Sequence, residues 1–407
     1  RDPGSGAGAA PAGGAAPPVA SAGGAMASAG AAMASAGAAM ASAGAAPLPL
    51  IPYPWNTAGM RAVQLETIGY PLVDRDLPVP DPGPRDALVR MGAAGVCRSD
   101  LHYSTGASYA GPLPLTLGHE VAGTLERYGA DAVELLAERG IAVGDRVAVH
   151  YLVTCGHCRH CMAGREQFCA HAQMVGKHRD GGFADYLLVP ARNLVAVPER
   201  VTLESAAVMM CSTATALHAL HKAELVAGDR VAVFGIGGLG MSAVQLAGAM
   251  GALEVYAVDI DRSRLALAEA LGAVPVNAGE VDPVAALHDL TGDGVECAVE
   301  LLGLPQTIEQ AVRSLAPQGR AAIAGIADRP VSIETYRDVV GREAKVVGVS
   351  DHTRGEVEYA LTLAASGALR FDDVITATLP LEAAAINGAL DSLADFGPGV
   401  RSVVAPG

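Results

Sequence analysis

Hydrophobic positions change their rhythm along this 407-residue chain. Between Met60 and about Pro198, short apolar runs such as Asp86–Gly92, Glu120–Glu126, Asp145–Tyr151 and Ala184–Pro190 are punctuated by Gly and Pro. That texture predicts an irregular all-β region. From about Glu204 onward, apolar runs alternate with Ala- and Leu-rich stretches of helical period. Strands are predicted at Val231–Gly235, Val255–Asp259, Val295–Glu300, Ala321–Gly325 and Val346–Val349, with helices at Leu239–Met250 and Arg262–Leu271. Strand–helix alternation of this kind builds a parallel sheet from βαβ units. The closing stretch predicts one helix near Val357–Ser366 and returns to β text at Val400–Val404. The expected organisation is a β region over 60–205, an α/β region over 206–345 and a return segment over 346–407.

The first 59 residues are a different material. Arg1 and Asp2 are the only charges before Arg61, and Met26–Ala46 repeats Met-Ala-Ser-Ala-Gly-Ala-Ala with a period of seven. One Met per repeat gives a single apolar position where a coiled-coil seam needs two. The segment is expected to be a low-complexity, disordered tail, with the chain proper starting at Met60. Its Ala/Gly/Ser/Pro text supplies neither a signal core nor a membrane span.

A formal net charge of −15 argues against nucleic-acid and anionic-membrane partners. Seven cysteines refine this further. Cys155, Cys158, Cys161 and Cys169 follow a C-x2-C-x2-C-x7-C spacing. Two-residue gaps let the backbone turn and aim successive sulfurs at one point, so the four can wrap a structural Zn²⁺. His157 and His160 lie inside that loop and are expected to be exposed bystanders. Such spacing suits a metal in a reducing compartment, and the expected location is cytoplasmic. Cys297 sits in an apolar run and is expected to be a buried strand residue.

Gly235-Ile236-Gly237-Gly238-Leu239-Gly240 stands at a predicted strand–helix junction, and Asp259 ends the next strand nineteen residues on. Glycines there permit a tight turn and close approach of a pyrophosphate, whose charge the helix N-terminus favours. Asp259 would accept hydrogen bonds from a ribose and repel a 2′-phosphate, which points to NAD rather than NADP. Arg262 and Arg264 nearby leave a case for dual use. Cys97, His119 and Cys211 are candidate ligands for a second zinc, whose fourth position would stay open for catalysis. Singly, each could be an ordinary buried residue.

Taken together and in this order, these segments resemble the zinc-containing alcohol dehydrogenases of the medium-chain dehydrogenase/reductase superfamily. The resemblance covers roughly Met60 to the C-terminus. It implies a GroES-like catalytic domain with an inserted Rossmann domain, a doubly wound parallel sheet, and a cleft where zinc and nicotinamide meet. By the same resemblance Ser99 takes the alcohol proton and passes it toward His102, Asp100 orients His119, and Glu120 can approach the metal. Arg98 and Arg401 match arginines on the cofactor pyrophosphate, Thr215 and Leu239 match residues against the nicotinamide, and Tyr151 matches a large substrate-pocket residue. A homodimer or homotetramer is implied. The segment between Gly123 and Asp145 is longer than the family's usual connection and is expected to hold a short helix.

The expected reaction is reversible hydride transfer between a primary or secondary alcohol and NAD⁺, with an aldehyde or ketone as product. A polyol or amino-alcohol dehydrogenase is the alternative within the superfamily, and Cys211 argues mildly against the polyol form, whose third ligand is often Glu. A non-enzymatic nucleotide-binding relative should have lost metal ligands, which this chain retains. Few charges fall near the expected zinc, which favours an apolar alcohol.

Overall fold

In this computed structural model the described residues are 59–395, 397 and 399–406. The repeats around Met26–Ala46, Trp55 and the rest of the expected tail before Gly59 lie outside the described residues. Two sheets organise the chain from Met60 onward. The larger β sheet runs in the order Leu194–Ala196, Arg146–Val149, Glu120–Tyr128, Asp86–Val96, Arg401–Val404 and Ile375–Leu379, with Tyr186–Pro190 also paired to Asp86–Val96. The parallel sheet has six strands in the order Val274–Asn277, Glu254–Asp259, Arg230–Phe234, Val295–Glu300, Leu315–Ile323 and Lys345–Gly348.

That second order is the Rossmann arrangement. The chain's first strand of the sheet lies in its middle, so the connections leave toward opposite edges from the boundary between Arg230–Phe234 and Val295–Glu300. A crevice opens at such a reversal, beyond the carboxyl ends of the strands. Val231, Ala232, Val233 and Phe234 are all fully buried, as expected of a strand covered by helices on both faces. Lys345–Gly348 is the sixth strand, so the parallel sheet runs past residue 345, where a domain boundary was expected. Sequence text alone marked a strand there but gave no sign of which sheet it joins.

The β sheet is stitched together from distant segments. Ser402, Val403 and Val404 pair antiparallel with Val96, Gly95 and Ala94, which brings the end of the chain onto the strand that leads into Cys97. A long helical run, Leu203–Val208, Met209–Thr213 and Ala214–Lys222, passes from this sheet to the parallel one. Its buried Ala206, Ala207, Ala214, Ala216 and Ala219 have no side chain beyond Cβ and let the run pack closely on both sides. The middle five residues form a π-helical turn. Such widened turns recur at functional sites, and this one carries Cys211. The long connection after Gly123 does hold a short helix, Val133–Glu138, after a 3₁₀ turn at Ala130–Ala132.

One polar cluster ties the helical run to the closing segment. Glu356 stands in the first turn of helix Arg354–Ser366 and accepts from Thr353 N–H at 2.7 Å, while its other oxygen meets His218 Nδ1 at 2.8 Å and His221 Nδ1 at 2.9 Å. Burial opposes its ionisation, but the hydrogen bonds from His218, His221 and Thr353 outweigh burial and hold the carboxyl well below its usual range. A group depressed in this way stabilises the fold fully above the ordinary carboxylate pKa and loses that effect as pH falls toward the folded value. Glu356→Ala should therefore cost about 3 kcal/mol in thermal or urea unfolding near neutral pH. The gap between variant and wild type should narrow below about pH 4.

Candidate active site

Asp100 is the first point at which distant sequence converges. It lies in helix Arg98–Thr105, directly after strand Asp86–Val96, and is fully buried. Oδ2 accepts from Cys97 N–H at 2.9 Å, and Oδ1 accepts from Gly118 N–H at 3.2 Å and lies 3.1 Å from His119 Nδ1. Gly118 adopts φ 91°, and a side chain there would run into the Phe183 ring. Asp100 therefore fixes the backbone on either side of the site and turns the His119 ring so that Nε2 faces inward. That Nε2 is buried and has no hydrogen-bond partner among the described residues.

What it faces is a set of metal donors. Ligand atoms of Cys97, His119, Glu120 and Cys211 lie within 4.8 Å of one another. The hydrogen bond from the Cys211 thiol draws Cys97 well below its ordinary value, against burial and with help from His119, while the same bond and burial push Cys211 up. For His119, burial opposes the charge and Asp100 overcomes it. Two sulfurs and an imidazole nitrogen with a carboxylate close by suit a tetrahedral zinc that keeps a position for exchange. Glu120 is fully buried, with Oε1 unpartnered and Oε2 on the Arg401 guanidinium. Burial pushes its carboxyl up to about 8, with Arg401 working the other way.

The second donor set is Cys155, Cys158, Cys161 and Cys169, whose sulfurs also lie within 4.8 Å of one another. Backbone N–H groups of Cys158 and His171 point at the sulfurs of Cys155 and Cys169, at 3.3 and 3.4 Å. Such donors stabilise thiolates, and four of them fill the valences of a structural zinc. His157 is exposed and turns Nδ1 to the Cys155 carbonyl, and neither it nor His160 joins the set. Cys297 is buried in strand Val295–Glu300, as expected.

Between the two sheets runs a cleft of about 650 Å³ lined by Gly235, Gly237, Gly238, Leu239 and Gly240, by Asp259, and by Cys97 and Arg98. Gly235 takes φ 90°, and a side chain on Gly240 would strike the Gly235 carbonyl, so this turn admits only glycine at both places. Asp259 takes the N–H groups of Ile236, Ile260 and Asp261 at 2.7, 2.7 and 2.9 Å. A carboxylate has about four acceptor sites, so one remains for a ligand. Arg98, Arg264 and Arg401 also line the cleft. Arg264 reaches across to the Gly397 carbonyl at 2.9 Å. Arg401, expected on a pyrophosphate, gives one nitrogen to Glu120 and lies against Gly238, with Nε unpartnered. These features fit a dinucleotide.

The remaining expected residues fall around the donor cluster. Ser99 Oγ lies 3.9 Å from Cys97 Sγ, and His102 sits one helical turn further on, partly buried. Tyr151 is buried edge-on to the His119 ring at 5.4 Å. Thr215 turns its hydroxyl to His352 Nδ1 at 3.2 Å. Sequence reasoning missed Tyr103, Asp351 and His352. Tyr103 also packs edge-on against His119, at 6.3 Å, and Tyr151 donates its hydroxyl to Asp351 at 2.9 Å. No spacing signal marks Asp351, which is 200 residues from the tyrosine it touches.

Fold and site together define a zinc-binding, nucleotide-dependent dehydrogenase with a catalytic and a structural metal centre. Family comparisons agree: residues 83–199 match the alcohol dehydrogenase GroES-like domain and residues 238–366 match the zinc-binding dehydrogenase family. An alcohol dehydrogenase of Geobacillus stearothermophilus is 35% identical over 326 residues, 79% of this chain and 93% of that one. An L-threonine 3-dehydrogenase of Bacillus velezensis is 30% identical, covering 79% of this chain and 93% of its own. The crystal structure of 2R,3R-butanediol dehydrogenase from Bacillus subtilis superposes with a TM-score of 0.77 at 27% identity, covering 86% of this chain and all of that one. The chain belongs to the zinc-containing alcohol dehydrogenases of the medium-chain dehydrogenase/reductase superfamily.

Asp100→Asn offers an amide where Cys97 N–H or His119 Nδ1–H needs an acceptor. It should weaken the catalytic zinc by about 10- to 100-fold. Competition with a chromogenic chelator checks this: one zinc per chain should leave early, and the four-cysteine zinc should stay.

Proposed function

We propose that the protein oxidises a primary or secondary alcohol reversibly, with NAD⁺ as hydride acceptor. The observation that supports this most directly is the position of Cys97, which belongs both to the donor cluster and to the lining of the nucleotide cleft. Substrate held at the metal is thereby brought against the cofactor. Zinc at this centre supplies Lewis acidity that lowers the pKa of a substrate hydroxyl. NAD⁺ supplies the hydride acceptor.

The chain's own residues do the rest. Cys97, His119 and Cys211 hold the catalytic metal, and Asp100 sets the His119 tautomer so that Nε2 is the free donor. Ser99 receives the proton, and His102, on the same helix, passes it to solvent. Burial, followed by the charge of Arg98, holds His102 below the ordinary imidazole value, so it is neutral at pH 7 and able to accept. Glu120 stands beside the ligands with one free oxygen, ready to approach the metal when a ligand exchanges. Arg98, Arg264 and Arg401 face the pyrophosphate region, while Leu239 and Thr215 bound the nicotinamide. Asp259 accepts a ribose hydroxyl at its remaining site and disfavours NADP. Zinc in the four-cysteine lobe is structural. A cytoplasmic homodimer or homotetramer is the assembly that goes with this reading.

Elemental analysis and NAD⁺ reduction against a panel of alcohols test it. Wild-type protein should contain two zincs per chain and reduce NAD⁺, whereas Cys211→Ala should keep one zinc and lose turnover by at least about 1,000-fold. A wild type with one zinc and no turnover would overturn it.

A further inference from the structure

Outside the nucleotide cleft, the donor cluster is flanked by a polar wall. Tyr151 lies edge-on to His119, and its hydroxyl donates to Asp351 Oδ1. His352 packs edge-on against Tyr151 at 4.9 Å and is fully buried; Nδ1 faces Thr215, and Nε2 has no hydrogen-bond partner among the described residues. Thr215 lies four residues after the ligand Cys211. Where an apolar alcohol was expected, the donor cluster is thus flanked by a carboxylate, two hydroxyls and an unsatisfied imidazole.

Asp351 is the unusual member. It is partly buried, makes a single side-chain hydrogen bond, and forms no ion pair among the described residues. Its backbone adopts φ 50°, a left-handed conformation uncommon outside glycine. Such strain persists where the surroundings fix it, and it is frequent at ligand sites. If Asp351 served only to hold Tyr151, a neutral acceptor would do so without the cost of a charge taken from water. The two carboxylates at the donor cluster already have charged or imidazole partners: Asp100 has His119, and Glu120 has Arg401.

Building on the dehydrogenase activity proposed for this site, we infer that Asp351 is a specificity-determining residue that receives the ammonium group of an amino-alcohol substrate whose hydroxyl is bound at the catalytic metal. Tyr151 fixes the carboxylate from one side. The ammonium supplies the missing cation from the other, with His352 Nε2 available to a neighbouring polar group of the substrate.

Three compounds of one shape separate charge from size: 1-amino-2-propanol, 1,2-propanediol and 2-butanol differ only in whether –NH₃⁺, –OH or –CH₃ follows the carbinol. They are compared by kcat/KM with NAD⁺ near neutral pH, where an aliphatic amine carries its charge. Wild type should favour the amino alcohol over 2-butanol by at least about tenfold, and Asp351→Asn should remove most of that ratio through KM. Tyr151→Phe, which frees Asp351 without removing its charge, should lower the ratio only in part. A wild type that prefers 2-butanol or the diol, or an Asp351→Asn variant that keeps the preference for the amine, would overturn the inference. If none of the three is oxidised, the dehydrogenase reading fails separately. The amine site is then decided by thermal shift with NAD⁺ present: wild type should be stabilised by 1-amino-2-propanol and not by 2-butanol, and Asp351→Asn should lose the difference. Equal shifts in both proteins would overturn it.

Discussion

Everything at the metal centre hangs on one buried carboxylate. Asp100 holds Cys97 N–H, Gly118 N–H and His119 Nδ1 at once, so a helix, the end of a strand and the loop before Glu120 are locked to one side chain. An unpaired carboxylate at that depth would be strongly disfavoured, and it persists because its hydrogen bonds and the imidazole replace water. The same bonds dictate what the site can bind. With Nδ1 engaged, His119 presents only Nε2, beside two sulfurs already drawn into sharing a proton. A soft divalent cation releases that proton and resolves the unpartnered nitrogen in one step.

A second constraint joins the metal to the nucleotide cleft. Arg401 is buried against Glu120, lies over Gly238 and sits at the start of the strand that pairs with Val96. One side chain therefore bridges the glycine turn and the ligand cluster. Breaking one half of such a buried pair leaves an uncompensated charge, which is costlier than the pair is stabilising. Arg401 thus touches both the glycine turn and Glu120, whose other oxygen has no partner.

Local chemistry was legible in the sequence and distant chemistry was not. Four cysteines within fifteen residues, and a glycine motif between a strand and a helix, are short patterns whose geometry follows from backbone reach. Cys97, His119 and Cys211 were readable as candidate ligands from residue type, and the resemblance to a family, not a spacing, joined them into one set. The parallel sheet was readable from its periodicity, with a strand at Val346–Val349 among those predicted, but the boundary placed at 345 cuts through that sixth strand. The pairing of Glu120 with Arg401 spans 281 residues, and that of Tyr151 with Asp351 spans 200. No pattern in the chain connects such positions; only the packing of the two sheets does.

Charge balance shows why the missed residue matters. Two thiolates offset a zinc dication, Asp100 is matched by the imidazole it orients, and Glu120 is matched by Arg401. Arg98, Arg264 and Arg401 line the cleft and give it positive charge. Asp351 has no ion-pair partner among the described residues and, unlike Asp259 with its three backbone N–H groups, holds only the Tyr151 hydroxyl. An apolar alcohol, which the sequence favoured, would bury that charge further and leave His352 Nε2 unsatisfied. A substrate carrying its own cation does the reverse, strengthening the Tyr151–Asp351 contact as it excludes water. The polar wall then does for the substrate what Asp100 does for the metal: it fixes orientation by leaving one demand open.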